Sequence, residues 1–182
     1  MAEEKFKKYI SGLEDMLISA SPVSATEMPA DTELESIGEV KEGGITIAPG
    51  SISKENLKKE GPSGPITVDT ISTKEADTAK GKLIIRDLDK YARVTGMEVT
   101  PVGSGPDKVA KYVGPFGINS IDVAVRFNTA TKIGGKAVTR DYPLAKLTVS
   151  EDFAFTAKGW WEASIELELL SAGITTYPTP EA

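Results

Sequence analysis

Hydrophobic and polar positions alternate with period two through much of residues 44–170, and one short stretch breaks into helical spacing. In 119–127, Ile121, Val123, Val125 and Phe127 share one face, against Asp122, Ala124 and Arg126 on the other. In 160–170, Trp161, Ala163, Ile165, Leu167 and Leu169 oppose Glu162, Ser164, Glu166 and Glu168. Successive strand side chains point to opposite faces, so both segments read as antiparallel strands with one face in a core and one in water. Shorter strand patterns cover 45–47, 66–71, 83–85, 97–102, 109–113, 136–139 and 145–149, with Phe153 and Phe155 following. Short strands of this kind, separated by Gly- and Pro-bearing turns, predict a mainly β fold. The expected architecture is an antiparallel β-sandwich or barrel with one short flanking helix and an N-terminal helix or arm.

The flanking helix is predicted just after Leu83-Ile84-Ile85. Asp87 or Asp89 can cap it by accepting orphan backbone N–H groups, and Leu88, Tyr91, Ala92 and Val94 make an apolar stripe. Gly96 can take the left-handed conformation that ends it. Residues 3–19 also show helical spacing through Phe6, Ile10, Leu13, Leu17 and Ile18, which predicts an amphipathic helix. It packs on its own domain or docks on a neighbouring subunit, and Phe6, Ile10 and Leu13 are its contact candidates. Residues 20–43 are polar with isolated apolar side chains and read as a linker or extended arm. Residues 50–64, GSISKENLKKEGPSG, read as a long polar loop between strands, and 72–80 as a polar turn. The tail has two prolines and no pattern. The expected organisation is therefore a helix and arm over 1–43, a β domain over 44–172 and a loose tail over 173–182.

Composition narrows the chemistry. The chain has no Cys and no His, which removes disulfides, thiolate nucleophiles, Cys/His zinc sites and a Ser-His-Asp triad. Its 27 acidic and 21 basic residues give a net charge of −6, without the basic cluster that nucleic-acid recognition needs. Residues 1–60 hold twelve acidic and seven basic side chains, a net of −5, so the excess lies in the N-terminal third. No apolar run approaches a membrane span of about 18 residues. Glu14 and Asp15 interrupt the stretch where a signal sequence would be apolar, so manufacture in a cytoplasm is expected.

Candidate chemistry is sparse. Ser51-Ile-Ser-Lys54 has the S-x-x-K spacing of some acyl-transfer serines, but no helix is predicted to carry it. Gly103-Ser-Gly-Pro and Ile133-Gly-Gly-Lys136 lack phosphate-loop spacing and read as turns. The pairs Asp87/Asp89 and Glu151/Asp152 are explained by capping and strand ends. Trp160 and Trp161 point to opposite faces of a strand, and the outward one, taken as Trp160, is a subunit-contact candidate. No catalytic, metal or cofactor residue is expected, and the chain is not expected to be an enzyme.

The order of these elements resembles phage major tail tube proteins and the related tubes of contractile injection systems. It runs from a polar arm through Gly44-Ile-Thr-Ile47, a long loop and Pro65-Ile-Thr-Val68 to Gly81-Lys-Leu-Ile-Ile85. The helix over 88–94, Gly96, Pro143-Leu-Ala-Lys-Leu147 and the last strand complete it. The resemblance implies a self-assembling virion protein of the tail, made in the host cytoplasm. Its hexameric rings would join through edge strands and stack into a conduit for genome delivery. It implies as partners other copies of the chain, a tape-measure protein, sheath or baseplate proteins and transiently passing DNA, with no membrane. Ser53, Lys54, Asn56, Leu57 and Lys58 become inter-ring loop candidates. Glu162, Glu166 and Glu168 become candidates for an acidic lumen. The alternatives are another virion or secretion-system part (terminator, baseplate or decoration protein) and a carbohydrate-binding sandwich.

Overall fold

The computed structural model describes residues 12–61, 64–85, 87–114, 120–150 and 161–178. Among them the chain forms β1 (Leu13–Ser19), β2 (Glu35–Ser36), β3 (Glu39–Ala48), β4 (Ile52–Gly61), β5 (Gly64–Lys74) and β6 (Asp77–Ile85). Helix α1 (Leu88–Thr95) follows, then β7 (Glu98–Val102), β8 (Val109–Val113) and β9 (Ser120–Ile133). The last strands are β10 (Lys136–Ser150), β11 (Trp161–Leu169) and β12 (Ile174–Thr176). The mainly β, antiparallel architecture expected from the alternation is what the chain adopts.

Eight strands form one sheet in the order β2-β1-β9-β10-β11-β6-β3, with β12 added on β10. It curls into a nearly closed barrel. One continuous segment draws the two ends together. Glu35 and Ser36 pair with Ile18 and Leu17 of β1, and then Glu39 and Val40 pair with Ile84 and Leu83 of β6. The backbone changes partners at Ile37-Gly38. A Cβ at Gly38 would lie 2.7 Å from the Ile84 carbonyl oxygen, so this seam admits no side chain without moving backbone.

Alternation fills the interior. Met16, Ile18, Leu83, Val123, Val125, Leu147 and Leu167 are buried in one cluster with Ala163 and Ile165. Helix α1 adds Tyr91 to that cluster. Asp87 accepts a hydrogen bond from the Lys90 amide at 3.1 Å, and Gly96 ends the helix at φ 73°, as the sequence predicts. Pro143 has no N–H to give a ladder, and it sits where the β9–β10 register shifts between Tyr142 and Ala145. There the Leu170 and Ser171 amides both donate to the Leu144 carbonyl, leading the chain from β11 into β12.

Five expectations are corrected. The helix over 3–19 is a strand at Leu13–Ser19, and its first part lies outside the described residues. Leu13 and Leu17 fit helical spacing, but Met16 and Ile18 fit period two, and pairing with β9 decides between them. The barrel therefore draws strands from residues 13–48 and does not begin at 44. The loop over 50–64 belongs to a hairpin, β4–β5, and Asp77–Lys80 of the turn over 72–80 belong to β6. The loose tail is not loose at Ile174–Thr176, which pairs with Asp141–Thr139 because β10 outruns β11. No local pattern in these segments announces its partner.

Candidate functional site

Two ribbons lie outside the barrel sheet, and they leave β6 from its two ends. The first is the β4–β5 hairpin, hereafter the arm, which precedes Asp77. The second is the β7–β8 hairpin, which follows Ile85 and α1.

The arm prolongs the β3–β6 pair. After the Ala48–Thr78 pair the ladder breaks at Pro49-Gly50 and Glu75-Ala76, then resumes at Ile52–Lys74. The break is clamped. The Gly50 amide donates to Asp77 Oδ1 at 3.0 Å, and Lys74 Nζ lies 2.8 Å from the same oxygen. Ser51 Oγ donates to the Glu75 carboxylate, and the Glu75 amide donates to the Ser51 carbonyl at 2.9 Å. The Lys74 ammonium first, and then the Gly50 N–H, hold the Asp77 carboxyl below its usual range.

This shift has a measurable consequence. A depressed carboxyl pKa stabilises the clamp above the ordinary Asp range of about 4 and ceases to do so as pH falls through the depressed value. The Gly50 amide resonance is therefore expected to titrate with a midpoint below about 4. The titration should vanish in Asp77→Asn. A midpoint at or above the ordinary value would show that the clamp is not formed.

Beyond the clamp the arm is in water on both faces. Every residue from Ser51 to Glu60 is exposed, and so are Ile66, Thr67 and the run from Asp69 to Glu75. Ser53, Lys54, Asn56, Leu57 and Lys58 therefore all stand on β4. Ser53 Oγ donates to the Thr73 carbonyl at 3.4 Å, and Thr70 Oγ1 donates to Asn56 Oδ1 at 2.9 Å. Ser51 and Lys54 are three apart on extended chain and so face opposite ways, which separates the S-x-x-K pair. Opposite Leu57 and Lys58 the register skips one residue of β5. This bulge puts Ile66 on the face already holding Leu57 and Ile71, although strict alternation would separate the two isoleucines. The three are 55%, 41% and 48% exposed, in the order Ile66, Leu57, Ile71.

The second ribbon is equally bare. Val102 faces Val109, Thr100 faces Lys111, and Glu98 faces Val113. Val99, Val102, Val109 and Val113 are all exposed. The opposite face carries Val99, Pro101, Ala110 and Tyr112. Tyr112 donates its hydroxyl to Asp89 of α1, which ties this face to the helix and pushes the phenol above its ordinary pKa.

The three glutamates of β11 point out of the core, as expected, but they do not form an unopposed acidic row. Lys41 Nζ lies 2.7 Å from Glu162, and Lys80 Nζ lies 2.8 Å from Glu166. Glu168 stands opposite Lys146 of β10, which stands opposite Asp122 of β9. Lys82 stands on the same wall, opposite Ser164. The expectation of an unopposed acidic row is thereby corrected. Cross-strand partners, which the β11 sequence does not name, supply the opposing charge.

A further polar cluster is built around Arg126. Arg126 reaches Asp141 with two bonds of 2.9 and 3.0 Å and Asp31 at 2.7 Å. These bonds line a cavity of about 680 Å³ and fasten the 20–34 segment across the barrel wall. Asp141 first, with Asp31, holds Arg126 in its charged form. Among the described residues no three carboxylates gather as a metal site, and no helix is long and apolar enough to cross a membrane. Phe6, Ile10 and Trp160 lie outside the described residues, and Leu13 packs against the barrel core. Comparison with known families, with curated proteins and with solved structures finds no match.

Proposed function

We propose that this chain is a self-assembling structural subunit of the tail-tube kind. The observation that carries the reading is the arm. A two-stranded ribbon alone in water is marginal, and this one has two exposed faces and an apolar stripe of Leu57, Ile66 and Ile71. Such a stripe is at rest when another surface covers it. A barrel with extended ribbons, and with side chains that read as packing rather than chemistry, suits a building block. Rings of the chain stack into a hollow tube, with the arm bridging neighbours in the stack, and the tube serves in a virion tail as a conduit for DNA. Tape-measure, sheath or baseplate proteins are the further partners this role brings.

The test is direct. Purified chain is expected to shift from slow- to fast-sedimenting species as concentration rises, and electron microscopy of the fast fraction should show rings or tubes. A monomer at every concentration and salt condition would overturn the reading.

A further inference from the structure

We propose that the surface receiving the arm is the β7–β8 ribbon of a second copy of this chain. The inference rests on the assembly reading and names the surface it leaves open. Three observations carry it. The two ribbons leave opposite ends of β6, so an arm reaching past one end of its own barrel meets the far end of the next copy in line. Each ribbon has a face with three exposed aliphatic side chains: Leu57, Ile66 and Ile71 on the arm, and Val102, Val109 and Val113 on the receiver.

The third observation is charge. On the arm, Glu55 and Asp69 flank Leu57 on its own face, and Lys59 lies beside Ile66. On the receiver, Lys111 lies between the Val102–Val109 row and Val113, and Glu98 is paired with Val113. The carboxylates of the arm match Lys111, and Lys59 matches Glu98. The opposite receiver face is tethered to α1 through Tyr112, whereas the valine face carries no such tether among the described hydrogen bonds.

Size sets how the contact behaves. A ribbon face five residues long and two strands wide spans roughly 17 Å by 10 Å. One such contact is far below the ~1,200 Å² of a stable pair, so it holds only when repeated around a ring. Because it joins different surfaces of the two copies, it propagates and does not close on itself as a two-fold dimer.

The chain has no cysteine, so the contact can be tested by paired substitution on a silent background. L57C and V109C are made separately, and the wild type is checked for assembly in parallel. Under mild oxidation, a mixture of L57C and V109C is expected to give a disulfide-linked dimer at least tenfold more abundant than either variant alone. The double variant should give a ladder of linked multimers. A wild type that assembles while the mixture stays uncross-linked would overturn this inference and leave the assembly reading standing. Equal self-linking of L57C alone would overturn it in favour of an arm-to-arm contact. A wild type that stays monomeric throughout would remove both.

Discussion

A chain in which Ile52–Lys74 is replaced by a two-residue Asn-Gly turn is expected to fold like the wild type and to lose assembly. The arm strands contact each other and little of the barrel, so removing them opens no cavity. The cut lies just past the hydrogen bond from the Glu75 amide to the Ser51 carbonyl, where a two-residue hairpin turn suits antiparallel chains. The thermal midpoint should therefore move by only a few degrees, in the range that about 1 kcal/mol produces in a domain of this size. Assembly should move much more. Covering the three half-exposed aliphatic side chains of the arm gives about half of the ~1.5–3 kcal/mol that full burial gives each, or roughly 2–4 kcal/mol per arm. Losing this should raise the concentration needed for assembly by about two orders of magnitude. Sedimentation velocity measures the second effect and thermal melting the first. An arm-less chain that assembles at the wild-type concentration would make the arm a passive connection.

Gly38→Val is expected to show the reverse pattern, damaging the fold itself. Gly38 lies where the chain passes from β1 to β6 and draws the ends of the sheet together. The nearest atoms to an added Cβ are the Ile84 carbonyl oxygen at 2.7 Å and the Ile85 Cδ1 at 3.2 Å. The side-chain atom can yield, but the carbonyl belongs to the β6 ladder and cannot. Valine adds two methyl groups to the same gap. Forcing extra atoms into a packed site costs about 1–3 kcal/mol, and parting the seam would expose Ile37 and Ile85 as well. We expect a loss of about 3 kcal/mol, a large part of the 5–15 kcal/mol that holds an ordinary domain. The urea midpoint should fall in proportion. A midpoint unchanged within error would mean that the seam is not closed at this point.

Much of this fold is legible in local pattern because the forces involved are local. The β9 and β11 faces follow from alternation alone, since strand geometry sends every second side chain inward whichever strand lies beside it. The same holds for α1, whose Asp87 cap and Gly96 stop act within one helical turn. The exclusion of thiol, imidazole and triad chemistry needs only composition. What neighbours decide could not be read this way. Leu13–Ser19 fits two periodicities, and only the β9 edge makes it a strand. The row Glu162, Glu166, Glu168 looks acidic along its own strand, and its lysines come from β3, β6 and β10. The polar run after Pro49 looks like a loop because neither of its faces is buried, and burial is what writes alternation into a sequence. Its strand character comes from cross-strand hydrogen bonds, which are indifferent to side-chain polarity. Local chemistry thus determined the β9 and β11 faces, the helix and the exclusion of thiol, imidazole and triad chemistry. Which strand met which, and which surfaces were left uncovered, were settled by contacts between residues far apart in the chain.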